Sequence, residues 1–177
     1  MTSFLVLLFG FGLLVFQASL GTLIPIHAFA PNLMLPIAIF LGVSPEVQIV
    51  RGALISFALG YLLDAFCGSP MGLQTFVLTA SFMVARGAGI RLFPQGTVFQ
   101  MLFTFLMALA FGATVLALRA IFEQPQLPML GEAMGERTLF PFGAALATAL
   151  VSPLVFAGTR RLLALSSKKR EERTISG

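Results

Sequence analysis

Charge is what this chain has least of. Lys, Arg, Asp and Glu make up 10% of its 177 residues, against about 25% in a soluble domain. The first charged side chain is Glu46, and before it only His27 titrates. That run far exceeds the roughly 20 apolar residues needed to cross a bilayer. An ordinary water-soluble fold is excluded, and 177 residues suit one transmembrane bundle without a separate soluble domain. Tryptophan is absent, and cysteine and histidine occur once each. Cys67 cannot form a disulfide within the chain and reads as a small buried residue. One histidine and one cysteine argue against a zinc site of the usual kind. There is no glycine-rich phosphate loop ending in Lys-Ser or Lys-Thr, no His-Glu-x-x-His and no Gly-x-Ser-x-Gly. Nothing is evident to pair with Asp64 for acid–base chemistry. No internal repeat with paired broken helices points to an inverted-repeat transporter. No cofactor or metal is expected.

What is present is apolar. Hydrophobic residues are 58% of the chain and the mean hydropathy is +0.97. The pattern predicts an all-α, six-span membrane bundle over 1–165 and a short basic tail over 166–177. The spans are Ser3–Leu23, Asn32–Val43, Ser44–Phe66, Ser69–Val84, Val98–Phe122 and Thr138–Leu165. The second is short for a full crossing. Ser44-Pro45-Glu46 has the form of a helix start, with an N-cap residue, a proline at the first position and an acid in the first turn. The fourth span is expected to stop before Gly87 and Gly89, and Pro153 to kink the sixth. Ala28-Phe29-Ala30 mimics a cleavage site. No basic segment precedes the long apolar stretch and Pro31 follows directly, so residues 3–25 are read as a retained helix.

The net charge of +4 does not signal nucleic acid, because six of the eleven Lys and Arg residues lie after Thr159 and no basic stripe is interleaved with aromatics. Cationic ends on an apolar chain are topology signals. Arg51, the Arg86–Arg91 connection and the C-terminal cluster all fall on one side of a six-span chain, which makes both termini cytoplasmic. The Lys168-Lys169-Arg170 cluster is placed to touch anionic lipid, and Arg119 to snorkel to the head groups.

Gly52, Ser56, Gly60 and Asp64 are spaced by four, so on a helix they form one stripe of small side chains ending in a carboxylate. Such a stripe lets another helix approach closely. Two readings are open for Asp64: a bundle-facing carboxylate that binds a partner helix, ligand or proton, or a structural one near the outer end of its helix, solvated or bonded to the Gly68–Gly72 turn. Asn32, after Pro31, either caps the second helix or lines a polar pocket near Asp64. Gln17, Ser19, Gln74, Thr75 and Thr79 are expected to bond across helices or back to their own carbonyls.

The order of these features resembles the MreD family of bacterial rod-shape-determining membrane proteins. The likeness rests on Ala30-Pro31-Asn32-Leu33-Met34-Leu35, on Gly52 and Gly60-Tyr61-Leu62-Leu63-Asp64, and on Gly68-Ser69-Pro70-Met71-Gly72. The final Pro153–Leu165 segment with Arg160-Arg161 has a similar layout. The resemblance implies a non-catalytic scaffold subunit of the cell-elongation complex in the bacterial inner membrane. It would bind the membrane helix of MreC and act indirectly with MreB, RodA and a class B penicillin-binding transpeptidase in peptidoglycan synthesis. It also implies a fold similar to the substrate-binding subunits of energy-coupling-factor transporters, which keeps a small-molecule transporter subunit as the alternative. Pro31, Asn32, Gly60, Asp64, Gly68 and Gly72 are the family-like positions, and Gly52–Ser56–Gly60 the expected face for the MreC helix. Self-association stays open.

Overall fold

The structure, a computed structural model, describes residues 2–23, 31–67, 71–91, 96–122 and 133–175. Among the described residues six helices follow one another: α1 (Thr2–Leu23), α2 (Met34–Val43), α3 (Ile49–Cys67), α4 (Leu73–Arg91), α5 (Thr97–Phe122) and α6 (Ala133–Ile175). Among the described residues there is no strand. Ile49–Phe66, Thr97–Arg119 and Phe142–Ala164 are long and apolar enough to cross a membrane, while Ser3–Ser19 and Met34–Val43 are apolar but shorter.

The shortest helix is the centre. α2 packs against each of the other five, and Met34, Ile37, Ala38, Ile39 and Leu41 have no exposed surface. A helix that is apolar all round is buried either in protein or in lipid, and here protein encloses it. Its 10 residues reach only about 15 Å, half the roughly 30 Å hydrocarbon thickness. It cannot bring both of its ends to the membrane surfaces, so at least one must be enclosed by protein. The outer surface carries large apolar side chains such as Val98, Leu102, Leu106 and Leu154, all more than half exposed. That surface suits lipid and would be untenable in water. Phenylalanine serves both sides: Phe4, Phe57 and Phe76 face outward, while Phe82, Phe111 and Phe156 are core.

The small-residue stripe is filled from within the chain. A Cβ at Gly60 would lie 2.5 Å from the Thr75 Cα, and one at Gly52 2.5 Å from the Phe82 ring, both on α4. Ser56 is fully buried between them in sequence. The stripe expected to receive a helix from another protein thus receives α4, and Gly52, Ser56 and Gly60 are not open to an outside helix. A second glycine seam joins α2 to α4. A Cβ at Gly42 would meet the Phe82 carbonyl oxygen at 2.8 Å, and one at Gly89 the Val43 Cα at 2.8 Å.

Several boundaries differ from the sequence expectation, each for a local reason. Ser44 ends α2 and does not begin α3. Its backbone is extended (φ −71°, ψ 116°) and its N–H donates to the Phe40 carbonyl. Pro45 disfavours helical geometry in the residue before it, so it terminates α2, and α3 begins only at Ile49. α4 runs past Val84 through Gly87 and Gly89 to Arg91. Packing on α2 outweighs the weak helix propensity of glycine there. Arg86 therefore sits in a helix and not in a connection. α6 continues to Ile175 in place of a separate tail, through a segment rich in Lys, Arg and Glu, which are good helix formers. It also runs as one helix through Pro153. His27, the Ala28–Ala30 tripeptide, Gly68, the Ser69-Pro70 start and Glu123–Glu132 lie outside the described residues, as does the Cys67 side chain.

The glycine seam makes a graded prediction. Gly60→Ala should destabilise the protein by about 2 kcal/mol, because a backbone atom must move to admit the methyl group. Gly12, with nothing within 4 Å of its would-be Cβ, should accept alanine without loss. Thermal unfolding in detergent separates the two, and equal melting temperatures would refute the seam.

Candidate functional site

A helix leaves about four N–H groups unpaired at its start and four carbonyls at its end. Lipid offers them no water, so protein must supply the partners. Three constellations of side chains do this here, and they absorb most of the polar residues singled out from the sequence.

The first is Asp64 over the start of α4. Its Oδ1 accepts the Gln74 N–H at 2.8 Å. Its Oδ2 accepts the Gly72 N–H at 3.0 Å, the Thr75 N–H at 3.0 Å and the Thr75 hydroxyl at 2.6 Å. The carboxylate is 2% exposed. Negative charge at a helix N-terminus also meets the favourable end of the dipole. Gly72 has φ +98°, a conformation that side chains with a Cβ rarely adopt, and this turn aims its N–H at the carboxylate. Asp64 is the only aspartate in the chain, and it caps a helix other than its own. Of its two open readings, the structural one holds at Gly72, with burial where solvation was the other option.

The second constellation closes the start of α2. The Asn32 side-chain oxygen accepts the Met34 N–H at 3.1 Å. Gln17 on α1 accepts the Leu33 N–H at 3.1 Å through Oε1. Thr148 on α6 accepts the Asn32 N–H at 3.0 Å and donates its own hydroxyl to the Ala144 carbonyl at 2.7 Å. Pro36 carries no N–H, which removes one orphan donor from the first turn. Asn32 caps as expected, from just ahead of the helix. Pro31, partly buried beside it, carries the chain into this junction.

The third closes the other end of α2. Arg86 Nη1 on α4 donates to the Ser44 carbonyl at 2.7 Å and to the Gly42 carbonyl at 3.3 Å. A cation at a helix C-terminus is favourable for the same dipolar reason. In the sequence Arg86 reads only as a loop charge, and nothing marks Thr148. A second span too short to reach both membrane surfaces is the one signal that its ends need partners. Gln17 and Thr75 bond across helices and Thr79 donates back to the Thr75 carbonyl at 2.8 Å, as expected, whereas among the described residues Gln74 Oε1 is buried without a hydrogen-bond partner.

Two cavities lie elsewhere. An apolar groove of about 470 Å³ runs between α1 and α3, along Phe4, Leu7, Leu8, Phe11, Phe57, Ala58, Tyr61 and Leu62. A cavity of about 370 Å³ opens where α2, α5 and α6 meet. Neither is lined by Asn32 or Asp64. Among the described residues no group of three His, Cys, Asp or Glu side chains converges to hold a metal ion.

Apolar outer faces, helices that end against one another and polar side chains spent on those ends define a helical membrane protein. Residues 1–158 match the family model of the rod shape-determining protein MreD, and the chain belongs to that family. No curated protein and no solved structure matches it, so the expected likeness to energy-coupling-factor subunits has no structural counterpart to rest on.

Hydrogen bonds to charged groups contribute about 1.5–3 kcal/mol each way. Asp64→Asn replaces one acceptor oxygen by a donor facing other donors and should lower stability by about 2 kcal/mol. Arg86→Leu should cost a similar amount, leave the Gly42 and Ser44 carbonyls without this donor and let the end of α2 fray. Hydrogen exchange in detergent reads both: faster exchange over 72–76 in Asp64→Asn and over 40–48 in Arg86→Leu. Unchanged exchange at those segments would refute the capping roles.

Proposed function

We propose that this protein is a non-catalytic scaffold of the cell-elongation complex, holding the single membrane helix of an MreC-type partner within the bacterial inner membrane. Membership in the rod shape-determining family carries the reading. It gains support from the use of the interior polar groups. The buried Asp64 carboxylate already accepts the Gly72, Gln74 and Thr75 amides and the Thr75 hydroxyl, which leaves it a poor acid, base or ligand anchor. Asp64 is thereby committed to holding the bundle together, and neither cavity is lined by it or by Asn32, so recognition is assigned to the outer surface.

The groove between α1 and α3 is the surface that best fits a helix. Phe4, Leu7, Leu8 and Phe11 follow helical spacing on one wall, and Phe57, Ala58, Tyr61 and Leu62 on the other. Two parallel ridges with a furrow between them accept the ridge of a third helix. The furrow is apolar except for the hydroxyl of Tyr61, the only tyrosine in the chain. Interhelical hydrogen bonds in membranes average only about 0.6 kcal/mol, so an extended packed contact is needed for a stable pair. Through that partner the scaffold would act with MreB, RodA and a class B transpeptidase in peptidoglycan synthesis.

The arrangement in the membrane follows. All six helices take part in crossing, with α2 sunk in protein and completing its passage through the Pro31–Leu33 segment. Non-helical backbone at membrane depth is tolerated when protein encloses it. Arg51, Arg86, Arg160 and Arg161 then share the cytoplasmic side with both termini.

Co-purification of the MreC-type partner from lipid nanodiscs tests this. Ala58→Trp, which fills the groove without entering the core, should reduce recovery at least tenfold. Leu154→Trp, on the exposed face of α6, should leave recovery unchanged. Retention by Ala58→Trp moves the partner to another face, and no recovery by wild type ends the scaffold reading.

A further inference from the structure

The cavity between α2, α5 and α6 carries features that the scaffold reading does not use. Its floor is aromatic, formed by Phe40, Phe103 and Phe156, with the Phe40 and Phe156 rings 5.6 Å apart. Its rim is charged with both signs, Glu46 from the turn after α2 and Arg160 from α6, and Gln100 of α5 adds an amide. Among the described residues neither the Glu46 nor the Arg160 side chain has a hydrogen bond or ion pair, and no salt bridge joins the two across the rim. Opposite charges facing one cavity without meeting leave each free for a ligand of the complementary sign.

The position of the cavity narrows the ligand class. Gln100 lies just inside the apolar span that begins at Thr97, Arg160 just before its span ends at Ala164, and Glu46 just before the span that begins at Ile49. The rim therefore lies at one membrane–water boundary, where head groups reside. From Phe103 the surface continues along α5 over Leu102 and Leu106, which are 55% and 56% exposed to the lipid side. A volume of about 370 Å³ falls in the range of small-molecule sites, roughly 300–1,000 Å³. It can house a head group whose acyl chains leave along α5. A purely anionic head group would meet Glu46, and a purely cationic one would meet Arg160.

We infer that this cavity binds the head group of a zwitterionic aminophospholipid, with its phosphate on Arg160 and its ammonium on Glu46. Arginine is suited to phosphate by its fork of donors, and a primary ammonium gives the Glu46 carboxylate charge-assisted hydrogen bonds. Gln100 supplies a donor to the phosphate or an acceptor to the ammonium. Arg160 lies beyond the 1–158 region that matches the family, so one half of the site belongs to the part of α6 outside that match. The inference is independent of the partner helix, whose groove lies between α1 and α3.

Native mass spectrometry of the full chain in detergent, titrated with phosphatidylethanolamine or phosphatidylglycerol of identical acyl chains, tests the assignment. Wild type should retain phosphatidylethanolamine at least fivefold better. Glu46→Gln should erase that preference, and Arg160→Gln should reduce retention of phosphatidylethanolamine at least fivefold. Both residues are exposed, so the helical circular dichroism should be unchanged in each variant. Soluble phosphoethanolamine at equal concentration should not displace the lipid. Equal or better retention of phosphatidylglycerol, a preference that survives Glu46→Gln, wild-type retention in Arg160→Gln, or displacement by the soluble head group would each overturn the proposal. Loss of lipid with the partner still bound, or the reverse, distinguishes this site from the groove.

Discussion

Backbone amides that end inside a bilayer have no water to turn to. At 10 residues α2 is too short to carry both of its termini to the membrane surfaces. Asn32, Gln17 and Thr148 close its start, and Arg86 closes its end. Those four side chains come from the connection before α2 and from α1, α6 and α4. A single short helix thereby dictates where its neighbours stand, because each must bring a specific polar group to a specific amide or carbonyl.

The α3–α4 pair obeys the same constraint by another route. Glycine at 52 and 60 removes the side chains that would hold the two helices apart. That close approach puts Asp64, one turn beyond Gly60, against the first amides of α4. The glycine stripe and the carboxylate are one device, in which the stripe sets the distance and Asp64 satisfies the helix start that the distance brings near. α4 then carries Phe82 into Gly52 and Arg86 onto α2, so the order established at Asp64 is passed along α4 to the far end of α2.

Neither cavity is lined by Asp64 or Asn32, so recognition is assigned to the periphery. The groove between α1 and α3 is apolar and faces the lipid, as a surface for a membrane helix must. The cavity near Glu46 and Arg160 is charged, and in the proposed arrangement it would lie at the boundary, as a surface for a head group must. The two are built from different helices, so a scaffold could hold a protein partner and a lipid together without one displacing the other. The rigidity of the core is what would let either contact orient its ligand.

The membrane class, the all-helical character and the rough positions of the helices were legible in the sequence, because hydropathy acts over a local window and needs no knowledge of neighbours. The importance of Asp64, Asn32 and the Gly52–Gly60 spacing was legible too, since a lone carboxylate or a glycine row in an apolar helix stands out by composition. What those residues touch was not. The stripe suits any close helix, and only folding shows that α4 occupies it. Thr148 meets a backbone amide 116 residues away and Arg86 a carbonyl 42 residues away, pairings that no local pattern encodes. The sequence by itself determined that this chain lives in lipid and where it can bend. The tertiary structure alone decided which helix ends are capped by which side chains, because an unpaired amide in lipid is satisfied by whatever polar group packing brings within about 3 Å.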